Sequence, residues 1–184
     1  MGTKTEDFVR HLFITTTHHF ILFFTNQGKV YRLKVHEIPE AGRQAKGTAA
    51  VNLLFIGNEE KITTVIPVRE FDTGQYLFMA TRSGMVKKTS LNDYDTSRRD
   101  GLIAIALKEG DQLVDVKLTS GEETIVLATR GGKAIRFMED EVRPMGRVAR
   151  GVRGIRLTGK DEVIGMEKDR SEERRVGKEC RSRW

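Results

Sequence analysis

Cations return at fixed places along this 184-residue chain. Four residues after Gly28, Gly84 and Gly132 stand Arg32, Lys88 and Arg136. Just ahead of a second set of glycines, Gly47, Gly101 and Gly151, stand Lys46, Arg98 with Arg99, and Arg150. Lys34, Arg43, Lys87, Lys133, Arg147 and Arg153 lie close by in sequence. A lysine or arginine that neutralises a phosphate releases a condensed counterion, so cations spaced evenly along a surface suit a polyanion. A single basic residue beside a β-turn is ordinarily a solvated side chain, but three of three at one offset indicate a stripe. Strict alternation puts Arg32 on the face of Val30, Lys88 on that of Val86 and Arg136 on that of Ala134. A stripe of free cations therefore requires these strands to reach a rim or to bulge there.

Other chemistries find weaker footing. Thr129-Arg130-Gly131-Gly132-Lys133 resembles a phosphate-binding loop but lacks the full glycine spacing, the Ser or Thr after the lysine and a following helix, so it reads as a hairpin turn. His18 and His19 are adjacent, no Cys or acidic residue stands at ligand spacing from them, and they read as an exposed turn rather than a metal site. Asp93 and Asp95 read as turn formers rather than an acid–base pair. Tyr31, Tyr76 and Tyr94 fall at repeat positions and read as packing residues. No catalytic residue, metal site or cofactor is expected in this chain.

The cations are carried by a hairpin written three times: FILFFTNQGKVYRL from Phe20, QYLFMATRSGMVKKT from Gln75 and TIVLATRGGKAIRF from Thr124. The turn glycines recur at intervals of 56 and 48 residues, and the second glycines follow them after 19, 17 and 19. GLIAIALKEGDQLVDV from Gly101 and GVRGIRLTGKDEVIGM from Gly151 align without a gap, whereas the stretch from Gly47 to Val65 needs an insertion. Phe8, Ile62, Leu113 and Val163 hold equivalent places. Self-similarity near 50 residues marks a repeat architecture.

The segments predict strands over Phe8 to Thr16, in both arms of each hairpin, and over Ile62 to Val68, where Pro67 suits an edge. Leu102 to Leu107, Leu113 to Leu118, Val152 to Leu157 and Val163 to Met166 complete the set, and Gly47 opens an apolar segment to Ile56. Four short strands per unit and no convincing helix predict an all-β fold, a propeller-like array of four-stranded antiparallel blades. The array is incomplete: a blade remnant at 1–19, then repeats at about 20–72, 73–121 and 122–168. A lone sheet of this size leaves one apolar face wet, and stacking its neighbours covers it. The chain is thus expected to be cut from a longer parent, with unprotected sheet edges at both ends.

Composition agrees with a soluble domain: 38% hydrophobic and 32% charged residues, 18 glycines and 3 prolines. No apolar run approaches the roughly 18 residues of a membrane span, and the N-terminus has no signal-peptide pattern, so a cytoplasmic, nucleoid-associated location without membrane partners is expected. The single cysteine, Cys180, cannot form an internal disulfide. Much of the net charge of +6 comes from residues 170–184, RSEERRVGKECRSRW, without which it falls to +3. That segment has no periodicity and reads as a disordered or non-native tail. The basic character that matters is positional.

From Glu6 to Leu54, and again through RSGMVKKTSL, LATRGGKAIRF and EVRPMGRVARGVRGIRL, the chain closely resembles the C-terminal domain of the bacterial DNA gyrase A protein, over about residues 2 to 168. The resemblance implies a six-bladed β-pinwheel that wraps double-stranded DNA on a basic rim, through backbone contacts without strong sequence preference. It implies a parent heterotetramer of gyrase A and gyrase B proteins, an ATP-dependent type II topoisomerase using Mg²⁺ and ATP elsewhere, that introduces negative supercoils. The cations named above would be rim contacts. The family's seven-residue glycine- and arginine-rich box would end just ahead of Met1; Gly146 to Gly151 echoes it only loosely and is not given its role. Tyr31, Tyr76 and Tyr94 lack the family's cleavage motif. Two other readings compete: the related protein of topoisomerase IV, whose similar pinwheel has no box, and a propeller serving as a protein-interaction platform.

Overall fold

A computed structural model describes residues 12–169 apart from residues 43, 58, 97 and 99. Each repeated hairpin forms as its glycine dictates. Strands β1 (Phe20–Thr25) and β2 (Lys29–Lys34), β4 (Tyr76–Thr81) and β5 (Met85–Ser90), and β8 (Thr124–Thr129) and β9 (Ala134–Met138) are the three pairs. In each the turn glycine has a positive φ, 73°, 83° and 78° for Gly28, Gly84 and Gly132, and its N–H donates to the carbonyl of Thr25, Thr81 or Thr129 at 3.0–3.1 Å. A left-handed residue closing such a turn is what the strand twist requires.

A third strand follows each hairpin and pairs with its first arm: β3 (Ile62–Val68) with β1, β7 (Leu113–Thr119) with β4, and β11 (Val163–Asp169) with β8. Pro67 lies in β3, an edge strand, as its missing N–H demands. The fourth strand is where expectation and structure part. β6 (Leu102–Ile103), in the second unit, pairs with β2 of the first, Leu102 opposite Val30 and Ile103 opposite Lys29. β10 (Val152–Arg153), in the third unit, pairs in the same register with β5 of the second, Val152 opposite Val86 and Arg153 opposite Met85. The sheets are thus ordered β3-β1-β2-β6, β7-β4-β5-β10 and β11-β8-β9. Each four-stranded sheet takes three strands from its own unit and one from the next. The third sheet has three strands among the described residues.

Other expectations shift for the same reason. The predicted strands Leu102 to Leu107 and Val152 to Leu157 keep only two ladder residues each, because the chain then turns to fill the space between sheets. The equivalent stretch in the first unit forms a single helical turn, α1 (Ala50–Leu53), folded onto its own unit. Three short 3-10 turns, at Val35–Glu37, Leu91–Tyr94 and Glu139–Glu141, end the outer strands. Of the predicted strand over Phe8 to Thr16, residues 12–16 are not a strand and the rest lies outside the described residues, as does the tail.

Stacking covers the apolar faces. Leu22, Phe24, Val30, Ile66 and Val68 of the first sheet pack on Leu77, Met79, Leu113 and Val116 of the second, with Leu91, Tyr94, Ala104 and Ile105 of the intervening connection in the same cluster. The opposite face of the second sheet, Phe78, Ala80 and Val86, packs on Ile125, Leu127, Val163 and Met166 of the third. Successive residues of β4 therefore serve two different cores, and Leu77 through Ala80 are all buried. β3, β7 and β11 lie side by side on the inner side around a cavity of about 310 Å³, while β2, β5 and β9 lie on the outer side.

The turn glycines carry a testable consequence. A Cβ at Gly28 would stand 2.7 Å from the Ile105 carbonyl oxygen, whereas one at Gly132 would meet nothing within 4 Å. Gly132→Ala should cost only the left-handed backbone penalty of about 1–2 kcal/mol, and Gly28→Ala should add a packing cost of about 1–3 kcal/mol in urea denaturation.

Candidate nucleic-acid interface

The recurrent cations divide into two groups with different surroundings. Those four residues after the turn glycine lie where alternation puts them, facing the next sheet; the bulges in these sheets fall at Phe24/Thr25, Ala80/Thr81 and Val163/Gly165 instead. The Arg32 guanidinium stacks on the rings of Phe20 and Phe71, 4.0 and 4.8 Å from their centroids, and donates to Asp95 Oδ1 at 2.6 Å and the Thr96 carbonyl at 2.7 Å. Lys88 is buried; its Nζ donates to the Glu139 carbonyl at 3.1 Å and lies 5.1 Å from the Tyr76 ring centroid. In both cases the partner belongs to the connection of the following unit. These side chains fasten one unit to the next, and a duplex could engage them only by breaking that fastening. Arg136, on β9, is exposed.

Lys87 departs furthest from the expected rim. Its side chain faces the preceding unit, is fully buried, and donates to the carbonyl oxygens of Ala104, at 2.7 Å, and Arg147. Burial lowers its pKa from 10.5 to about 8, against the opposing pull of Asp93. Sequence offers no sign of this, because Lys87 stands where the first unit has a buried tyrosine, Tyr31, and the third has Ile135.

The second group stays at the surface. Lys46, Arg98 and Arg150, on the connections ahead of the second glycines, are exposed, as are Lys34 at the end of β2 and Arg153 on β10. Among the described residues Lys46, Arg98, Arg150 and Arg153 make no salt bridge. Arg147 is half-buried and donates to the Asp93 carbonyl at 3.0 Å; exposed Lys133 donates to Thr158 Oγ1 at 2.8 Å. Arg43 and Arg99 lie outside the described residues. Arg143 and Arg156 are also exposed and escaped the sequence reading, because no repeat position marks them. The connections lie over the outer strands: the Met145 N–H donates to the Lys88 carbonyl at 2.7 Å, and Arg32 holds Asp95 over β2. Arg98, Arg150 and Arg153 therefore sit on the side opposite β3, β7 and β11.

The remaining polar residues are structural. The Gly131 N–H, which a phosphate loop would offer to its ligand, donates to Asp161 Oδ1 at 2.7 Å. His19 Nδ1 accepts from Thr15 Oγ1 at 3.0 Å within its turn, and no cluster of three metal-ligating side chains occurs among the described residues. Tyr31, its pKa pushed up to about 12 by burial and then by Glu60, donates to Glu60 Oε2 at 3.0 Å; Tyr94 donates to the Ala104 carbonyl at 3.2 Å. Buried Glu139 accepts from Thr119 Oγ1 and from the N–H groups of Gly121 and Glu123, a role no motif announced.

Comparison with known proteins fits this repeat by repeat. The family described as DNA gyrase C-terminal domain, beta-propeller, matches three times, at residues 19–69, 75–120 and 123–168. The chain belongs to the DNA gyrase C-terminal domain family. It is 56% identical over 155 residues to the DNA gyrase A protein of Halalkalibacterium halodurans, covering 84% of this chain and 19% of that protein. It is 47% identical over 171 residues to that of Klebsiella oxytoca, covering 93% and 20%. It thus spans about a fifth of these gyrase A proteins. A topoisomerase IV C-terminal domain structure aligns with a TM-score of 0.80 and 37% identity over 84% of this chain and 48% of that one. A DNA gyrase A C-terminal domain structure aligns at 0.68 and 24% over 84% and 49%, a likeness of fold. No helix among the described residues is long and apolar enough to cross a membrane.

The cations held between units of this gyrase-family domain make two expectations measurable. Arg32→Ala removes the ring stacking and the bond to the Thr96 carbonyl, and should lower stability by about 1–2 kcal/mol in chemical denaturation. Lys87, with its folded pKa depressed, loses its proton in the folded state before the unfolded state does, so between pH 8 and 10 it makes stability rise with pH. The urea midpoint of the parent protein, compared with that of Lys87→Met, should climb across that window.

Proposed function

We propose that this chain is a duplex-binding and wrapping module of a type II DNA topoisomerase, part of a gyrase A protein, with the exposed cations of the connections as its contacts. The observation that supports this most is that each unit carries an exposed cation one to three residues ahead of its second glycine, Lys46, Arg98 and Arg150. Arg153, Arg147 and Lys34 extend the same region. Contacts of this kind address phosphates rather than base edges, so they position a duplex without reading it. A curved array of stacked sheets offers them along an arc. Bending 20–30 bp by 40–90° costs of order 1–6 kcal/mol, and distributed phosphate contacts offset that cost.

In this reading the parent assembles with the gyrase B protein, and ATP, Mg²⁺ and the strand-cleaving tyrosine act in parts of that enzyme other than this domain. Wrapping with one handedness would let the parent pass a DNA segment in one direction and introduce negative supercoils. The curated relatives at 47–56% identity, all gyrase A proteins, favour gyrase over topoisomerase IV.

Replacing Lys46, Arg98, Arg150 and Arg153 together with alanine should weaken binding to random-sequence duplex and lower the salt slope by roughly 3–4 units, with the unfolding midpoint unchanged. Arg32→Ala should leave the slope alone. Titration at several salt concentrations decides between them: an unchanged slope in the fourfold variant rejects the assignment, and salt-insensitive binding to a protein would favour an interaction platform.

A further inference from the structure

The connection of the third unit carries an apolar side chain that its cations do not explain. The Ala149 N–H donates to the Gly146 carbonyl at 3.1 Å, closing a β-turn with Arg147 and Val148 at its tip. Val148 is 67% exposed. The turn is held on every side and cannot fold that side chain away. The Arg147 carbonyl accepts from buried Lys87 Nζ, and the Arg147 guanidinium donates to the Asp93 carbonyl at 3.0 Å. The Ala149 carbonyl accepts from the Ala106 N–H at 3.3 Å. Gly151 sits so close to β5 that a Cβ there would stand 2.4 Å from the Val86 carbonyl oxygen.

The same turn closes in the first unit, where the Ala45 N–H donates to the Gly42 carbonyl at 2.9 Å. Gly42-Arg43-Gln44-Ala45-Lys46-Gly47 and Gly146-Arg147-Val148-Ala149-Arg150-Gly151 match residue for residue, with lysine for arginine once, except at the tip. Three residues ahead of the second glycine stand Gln44, Arg98 and Val148, and all three are exposed. The second unit has a described unit on either side, so neighbouring units leave this place open. What changes from unit to unit is the chemistry offered there: an amide, a guanidinium and a pair of methyl groups.

We propose that Val148 packs on the floor of the minor groove and makes the third unit sense the amine that G·C pairs place there; this rests on the duplex-binding reading above. Arg147, Arg150 and Arg153 lie within five residues of Val148, and that much positive charge suits the two phosphate rows flanking a groove better than an apolar protein surface. A narrow minor groove concentrates negative potential and draws arginine into it. Its floor shows only acceptors at A·T pairs, whereas a G·C pair adds the guanine N2 donor. Methyl groups pressed on that donor strip its water and return no hydrogen bond. Val148 thereby adds a preference of base composition that phosphate contacts lack.

The test compares binding of the 184-residue chain to duplexes of alternating inosine–cytosine and guanine–cytosine, which present the same major groove and differ by the minor-groove amine. The parent should favour inosine–cytosine. Val148→Thr keeps the size of the side chain and adds a hydroxyl that accepts from the amine, so its preference should be about fivefold smaller. Its salt slope should match that of the parent, since no charge is lost, and its circular dichroism should be unchanged, since the position is exposed. A parent without preference, as a major-groove contact would give, overturns the proposal, and so does an equal preference in parent and variant; both leave the duplex-binding reading standing. Failure to bind either duplex overturns that reading and this proposal with it.

Discussion

The fold depends on the fact that no sheet here can bury both its faces or complete its own ladder. A four-stranded sheet of short strands has two faces and two edges, and its own unit supplies three strands. The second sheet meets that demand in full, with Phe78 and Ala80 turned to one neighbour, Leu77 and Met79 to the other, and β10 closing its outer edge. Stability is then shared between units rather than owned by any of them, as nearest-neighbour coupling in repeat proteins requires.

That dependence explains the two kinds of cation. A residue four positions after the turn glycine faces the seam between successive sheets, where a long basic side chain can span the gap to the next connection. Arg32 does so with a carboxylate and two rings, Lys88 with a carbonyl and one ring. The cations that close the connections have no seam to serve and remain in solvent. A repeated charge is thus ambiguous by itself, since a joint between units and a row of ligand contacts share one period.

The same geometry ties binding to folding. The connections that carry Arg98 and Arg150 are held down by the fastening of Arg32 and by the bonds of Lys87 and Lys88 to Ala104, Arg147 and Glu139. The fastened cations thereby help fix where the exposed ones meet solvent. A stiff polyanion responds to such positions, because its bending energy depends on where the contacts fall along the arc.

The sequence by itself determined the repeat, its hairpins, the left-handed glycines and the all-β class, because these rest on local periodicity and on backbone conformations few residues tolerate. It also sufficed for the family, through long matching runs. Tertiary structure alone decided which unit owns the fourth strand, since Leu102 and Val152 look equally ready to pair within their own units and the outcome turns on which edge lies nearest. It decided that Ala50–Leu53, within the apolar stretch from Gly47 to Ile56, forms one helical turn, α1, rather than a strand. It decided too that Lys87 and Lys88 are buried while Lys46 and Arg150 are free. Burial is a property of what packs above a residue, and what packs above Lys87 and Lys88 comes from 17 to 60 residues further along the chain.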